Sequence, residues 1–438
     1  MFRALKIRNY RLYLTGNLVS QTGTWANRVA QDWLVLELTD NDPVALGIAT
    51  ALQFGPTLLL SLWGGMLADR YDKRRALIWI QGMIGLSAAT LGMLTVTGQV
   101  QVWHVYAICL VVGFTAAVEG PFRMSFVSEM VGPTELPNAV GLNAMAFNTA
   151  RIIGPSIAGV GIAVVGTGWV QVISGLAYAG VMTSLALMRM SELFPSKPVP
   201  RGKGQVREGV RYVAGRPDLV LILSLLFVVA TFGMNFQITL AILAKIVFER
   251  DAASFGLLTT ALAVGALIGA TLSARRQSVP RFRLLVGTAF TFGFLELCLG
   301  LFPSYALVAI LLVPTGMFML LFANAANASV QLTTDPTMRG RVMGLYMVVF
   351  LGGTPFIAPL VGVLAQHAGG AAPLIVGGII CMVGATVVGI WIARHDHLRL
   401  EVHRRPRLSI HLTKPDEDHD HLVHAPDPEH LSIPPRTR

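Results

Sequence analysis

Charge is scarce in this chain. Asp, Glu, Lys and Arg make up 13% of its 438 residues, where a soluble domain carries about a quarter. A solvated globular surface is therefore excluded over most of the length. Cysteine is nearly missing, and Cys109, Cys298 and Cys381 all fall inside apolar runs, which excludes a disulfide framework and a Cys-based metal site. Histidine is sparse before residue 394, with eight of the ten lying beyond it. No Gly-rich loop ends in Gly-Lys-Ser or Gly-Lys-Thr. The single Gly-Lys pair, Gly202 and Lys203, runs into Gly204, so no phosphate-binding loop of an ATP-driven pump is present. Nucleophile, base and oxyanion donors do not group anywhere, so neither an enzyme nor a cofactor is expected.

What the chain has in abundance is apolar length. Hydrophobic residues make up 53%, and the mean hydropathy is +0.61. Apolar windows of about 20 residues, enough to cross the hydrocarbon core, fall near 12–37, 44–67, 76–97, 102–122, 138–165 and 169–189. A second six lie near 218–247, 253–274, 284–302, 304–327, 341–366 and 371–393. The expected fold is an all-α membrane protein of twelve transmembrane helices.

The two sets repeat one another. Pro-Thr-Glu-Leu-Pro-Asn-Ala-Val-Gly-Leu at 133–142 returns as Pro-Thr-Met-Arg-Gly-Arg-Val-Met-Gly-Leu at 336–345, with Pro, Thr, Gly and Leu in register. Each copy leads into a span interrupted by Pro and Gly: Gly154, Pro155 and Gly159 in one, Pro355, Pro359 and Gly362 in the other. Two parallel-repeat six-helix bundles are what a machine rocking about a central site requires. The expected divisions are a bundle at 1–190, a cytoplasmic linker at 191–217 with a short amphipathic helix, a second bundle at 218–394, and a disordered His-rich tail at 395–438 in which Leu-Arg-Leu-Glu-Val-His pairs locally. The tail's His395, His397, His419, His421 and His424 offer metal donors, but a solvated low-complexity segment is the preferred reading, and no metal site is assigned.

Basic residues set the orientation, because Lys- and Arg-rich loops stay cytoplasmic. With the N-terminus inside, the inner segments before residue 342 hold 22 Lys and Arg, against two outside, Lys245 and Arg250. Both termini are thus expected in the cytoplasm, in a multi-pass protein of the cell membrane whose first span is an uncleaved anchor. The net charge of +10 follows from this bias and gives no reason to expect nucleic-acid binding.

Residues 64–75 read Gly-Gly-Met-Leu-Ala-Asp-Arg-Tyr-Asp-Lys-Arg-Arg. In this loop the chain resembles the major facilitator superfamily, whose signature has the form Gly, x, Leu, Ala, Asp, Arg, x, Gly, Arg, Arg. Gly65, Leu67, Ala68, Asp69, Arg70, Lys73 and Arg74 match, and Asp72 departs from the usual Gly. The resemblance implies that Asp69 and Arg70 join a cytoplasmic charge network holding the halves together when the site faces outward. Residues 151–159, Arg-Ile-Ile-Gly-Pro-Ser-Ile-Ala-Gly, are similar to the superfamily's antiporter motif, with Ala158 where a glycine is usual. Gly154 and Gly159 permit close helix approach and Pro155 bends the span; Gly265 and Gly269 offer a facing surface. The pattern from residue 2 to about 394, including Ala-Gln-Asp-Trp-Leu-Val-Leu in the first span and Glu-Gly-Pro-Phe-Arg at 119–123, is similar to the transmembrane secretion effector branch, which includes enterobactin-type exporters and multidrug efflux proteins.

Ionisable groups in hydrocarbon are costly unless they face a cavity or a partner. Five stand out: Arg28, Asp32, Glu119, Arg151 and Glu296. Arg28 and Asp32, four apart, share a helix face and can pair, while the repeat-equivalent positions are Ile238 and Ile242. Asp32, Arg28, Glu119 and Glu296 are the proton-coupling candidates. Arg151 leads the cargo-binding candidates, with Gln21, Trp25, Asn27, Gln31, Asn148, Asn235 and Gln237. The expected function is secondary active export of a small amphipathic molecule, drug-like or siderophore, by proton antiport, with multidrug resistance as the outcome. Import or facilitation of a small solute is the alternative. Its expected partners are small-molecule cargo, protons and the bilayer; a single copy is a plausible working unit, and oligomeric state is not readable.

Overall fold

The structure, a computed structural model, describes residues 3–194, 205–275, 280, 282–302, 304–395, 399–403 and 409–413. Of residues 61–66, 68, 69, 205, 206, 395, 399–403 and 409–413 it describes the backbone only. Helices dominate. Ten of those described are long and apolar enough to cross a bilayer, and two corrections to that number recover twelve. The run Val102–Val165 has 64 residues, about 96 Å if straight at ~1.5 Å per residue, three times a ~30 Å core. It turns back at Gly132, whose φ of 68° lies in the left-handed region that glycine occupies without penalty. Arg8–Leu38 is missing from the ten because its polar side chains dilute its apolarity.

The spans are α1 (Arg8–Leu38), α2 (Pro43–Arg70), α3 (Lys73–Val96), α4 (102–131), α5 (133–165) and α6 (Thr167–Ala186). The second set is α7 (Pro217–Val247), α8 (Ala252–Ala274), α9 (Phe282–Leu301), α10 (Tyr305–Thr333), α11 (Arg339–Ala368) and α12 (Ala372–Arg394). Short acidic caps start several of them: Asp42, Asp72 and Asp251 accept from Val44 N, Arg75 N and Ser254 N at 2.8, 2.8 and 2.9 Å, satisfying donors that a helix N-terminus leaves open. Asp72, the departure in the signature loop, thus caps α3.

Helix α7 departs most from its counterpart α1. It contains π-helical turns at Val229–Gly233 and Leu243–Val247, and the helix is interrupted at Met234 and Asn235. The freed groups are re-satisfied locally: Asn235 Nδ2 donates to the Thr231 carbonyl at 2.7 Å, and Thr239 Oγ1 to the Asn235 carbonyl at 3.2 Å. Such interruptions survive in a membrane only where neighbours or side chains supply partners.

Residues Met1–Ala385 form one compact unit and Thr386–Arg438 a second. In the first, α1 packs on α4, α5 and α6, and α8 on α10. The halves meet chiefly at the end away from the N-terminus. There Gly159 lies against Ala252 and Ala253, while Gly256 lies against the Pro155 carbonyl and Gly159; Gly47 of α2 lies against Ala358 of α11, and Gly362 of α11 against Pro43 of α2. At the basic end, residues Arg339–Gly352 of α11 touch α2 little. Gly265 and Gly269 do not face α5 as expected. They pack on Val313 and Met317 of α10, because they sit nine or more residues beyond the crossing point and serve their own half. The surface that meets α5 is instead Gly256.

The linker helix Gln205–Ala214 is tied to the second half by Arg341–Glu208 at 2.8 Å and by Tyr212 donating to Asp335 at 2.9 Å. In the second unit, Arg399–His403 pairs antiparallel with Ser409–Thr413, the local pairing expected there. His397 and the cluster His419, His421 and His424 lie outside the described residues.

Candidate functional site

A cavity of about 440 Å³ lies where α1 and α5 of one half face α7, α8, α10 and α11 of the other. Helix α1 presents Gln21, Trp25, Arg28 and Asp32 to it, spaced by four, three and four residues, which is one face of a helix. Helix α5 adds Phe147 and Arg151. The opposite wall is mainly apolar: Met234, Phe236, Phe255, Met319 and Phe350 with Gln237 and Thr259. Apolar walls with a few polar groups are typical of small-molecule sites.

Trp25 organises the charged wall. The Arg28 guanidinium lies 5.0 Å and that of Arg151 5.6 Å from its ring centroid, and Arg28 also reaches Phe54 at 6.0 Å. Phe147 meets Trp25 edge-on at 5.7 Å, and Gly154 lets α5 press against the Trp25 Cβ and the Thr22 carbonyl. The pairing of Arg28 with Asp32 open to them by spacing is not made: among the described residues no carboxylate lies within 4.0 Å of Arg28 or Arg151. Asp32 is buried, 3% exposed, and its Oδ2 accepts from Gln237 Nε2 at 3.0 Å. That bond crosses between the halves. Gln237 stands two residues beyond the break in α7.

A second bridge lies toward the closed end. Lys245 Nζ stands 4.5 Å from the Trp33 ring centroid. Trp33 stacks on Phe255 at 6.3 Å and donates its Nε1–H to Glu37 at 2.8 Å. Ser156 and Thr260 share a hydrogen bond at 2.8 Å between α5 and α8.

The other expected residues sit elsewhere. Gln31 donates to Cys109 Sγ at 3.2 Å; Asn27 is off the cavity with its Oδ1 buried and unpartnered; Asn148 bonds back to the Ala144 carbonyl at 2.8 Å. Asn235 lines a smaller cavity of about 150 Å³ beside Phe54 and Ile238. Glu119 pairs with Arg123 at 3.5 Å and accepts from Gln81 at 3.3 Å. Glu296 is 2% exposed with Oε2 unpartnered, held among Gly233, Gly377 and Cys381 outside the cavity.

In the signature loop, Lys73 pairs with Glu129 of α4, and Arg74 donates to the carbonyls of Leu185 and Ala186 at 2.6 Å, closing the C-terminus of α6. These contacts stay within the first half. Arg70 is exposed, and the Asp69 and Gly65 side-chain surroundings lie outside the described residues. Sequence reasoning missed the apolar wall, the Trp33–Lys245 contact and Gly256. Lys245 carried a signal, being one of only two basic residues in the outer segments.

Twelve membrane helices around a cavity bounded by two repeated halves define a multi-pass membrane transporter of the major facilitator fold. The fold is shared with a POT family transporter, PepTSo, at a TM-score of 0.70 with 11% identity over 89% of this chain and 99% of that one. It is shared too with a bacterial homolog of the human lysosomal transporter Spinster, at a TM-score of 0.66 with 13% identity over 88% and 96%. Within that class, the family model described as transmembrane secretion effector matches residues 1–406, and the chain belongs to that family. Enterobactin exporter EntS from Shigella boydii serotype 18 and from Escherichia coli O1:K1 is each 26% identical over 349 residues, covering 77% of this chain and 83% of the relative.

Proposed function

We propose that this chain exports small amphipathic molecules across the bacterial plasma membrane in exchange for protons, working as a single copy with both termini in the cytoplasm. The observation that carries the reading is the Asp32–Gln237 hydrogen bond between the halves, made at the cavity wall. Export is supported by the family and by relatives named as enterobactin exporters. With the basic end inside, the closed end is extracellular and the conformation faces inward.

An antiporter needs a proton site whose surroundings change as access alternates. Asp32 meets that need, because separation of the halves at the outer end removes Gln237 from it. A carboxylate accepts a hydrogen bond worth about 1.5–3 kcal/mol and a neutral acid one worth about 0.5–1.5 kcal/mol, so a proton on Asp32 weakens outer closure by about 1 kcal/mol. In the outward state Asp32 takes a proton and cargo leaves the arginine wall; on return the proton passes to the cytoplasm and the bond to Gln237 re-forms. Glu119, paired with Arg123, and Glu296, away from the cavity, are structural in this scheme. So is the antiporter-like stretch at 154–159, whose Gly159 lies at the outer crossing while Gly154 packs on α1 within the first half. Multidrug resistance follows where the cargo is a drug.

The test uses everted membrane vesicles with an imposed inside-acid pH gradient and a panel of fluorescent dyes. Wild-type protein is expected to drive dye accumulation that Asp32→Asn abolishes. Equal gradient-driven accumulation in Asp32→Asn would remove Asp32 as the coupling site, and accumulation driven only in right-side-out vesicles would reverse the direction of transport.

A further inference from the structure

We infer that the central cavity is built for an aromatic anion. The inference rests on the transport reading above and names its cargo class. Two donors on one wall have no acceptor. The Trp25 indole Nε1 and the Arg28 Nε are both buried without a hydrogen-bond partner, and neither Arg28 nor Arg151 has a carboxylate within 4.0 Å among the described residues. The acid in the lining, Asp32, is turned to Gln237. The wall therefore carries two cations and one anion, and the anion is already engaged.

An arginine in the hydrocarbon zone is costly unless something compensates it. Trp25 does so partly, since a guanidinium near an indole face gains about 0.5–2 kcal/mol. The indole face satisfies charge and not N–H geometry: Arg28 Nε stays unpartnered, and a guanidinium presents a planar fork matched to carboxylates, sulfonates and phenolates. Around them stand Phe147, Phe236, Phe255 and Phe350, which offer aromatic rings edge and face contacts. A cationic aromatic, the commonest drug-like alternative, would instead meet two like charges. The second half adds no charge to the cavity: Gln237 and Thr259 are its polar contributions, and the rest is apolar.

Two xanthene dyes of similar size and opposite charge test the assignment: fluorescein, an anion, and rhodamine 123, a cation. Binding to the purified full-length protein is read by fluorescence anisotropy, which does not depend on transport. Fluorescein is expected to bind at least tenfold more tightly than rhodamine 123. Arg28→Gln with Arg151→Gln removes that preference, while Arg28→Lys with Arg151→Lys retains it, which separates charge from folding. Equal affinity, preference for rhodamine 123, no fluorescein binding to wild type, or a preference that survives the double Gln variant each overturns the inference. Tight fluorescein binding without vesicle accumulation leaves this inference standing and counts against the export reading alone.

Discussion

Helices α1 and α7 occupy equivalent places in two copies of one design, yet they have diverged in opposite ways. Helix α1 is an unbroken 31-residue helix with Gln21, Trp25, Arg28 and Asp32 on its cavity face. Helix α7 puts buried Ile238 and Ile242 where α1 has its charges, and it is interrupted by two π-helical turns. The first half thus holds the cavity's charges, those of α1 on an unbroken helix, and the second supplies a mainly apolar wall with one amide that reaches across. The asymmetry is one of the cavity lining, since the second half keeps Glu296 and Lys245 away from it.

Blocking the meeting of the halves is the strongest way to break this comparison. A Cβ at Gly256 comes 2.5 Å from the Pro155 carbonyl, a backbone atom that cannot step aside. Gly256→Leu is expected to lower efflux at least tenfold with normal protein levels in the membrane. Gly265→Leu, which clashes with Val313 inside the second half, is expected to lower the amount of folded protein instead; immunoblots of membrane fractions separate the two. Next in size is Lys245→Ala. Loss of a cation–π contact worth about 0.5–2 kcal/mol shifts the population toward outward-open by roughly two- to thirtyfold, read as faster thiol labelling of a cysteine placed at Thr259. Glu296→Gln keeps shape and removes only the acid, so the pH dependence of efflux is expected to stay within twofold of wild type. Asn148→Ala, off the cavity, is expected to change dye efflux least, by less than 1.5-fold.

The spans, the repeat and the polar face of α1 were legible because each is periodic. Gln21, Trp25, Arg28 and Asp32 recur on one face, and Arg151 and Gln237 stand out as polar groups in apolar runs. Gln31 and Asn27 gave the same signal although they lie one residue before Asp32 and Arg28, about 100° around the helix, where they meet neighbouring helices. Polarity alone does not report which way a side chain points. The apolar wall was hidden for the opposite reason, since Phe255 or Met319 in a membrane helix looks the same whether it faces lipid, core or cargo. The break at Met234 and Asn235 carried no proline or glycine pair to announce it, Gly233 apart, and Gln237, which bonds Asp32, follows two residues later.

Asp32 is where rocking and protonation are held to meet. The direct measurement is a pair of spin-label distances, Asp40 to Glu249 across the outer mouth and Arg75 to Arg339 across the inner one, followed as pH falls, in wild type and in Asp32→Asn. The account predicts that acid widens the first and narrows the second in wild type, and that Asp32→Asn shows the acid-form distances at every pH. An Asp32→Asn protein whose two distances follow pH as the wild type's do would contradict it.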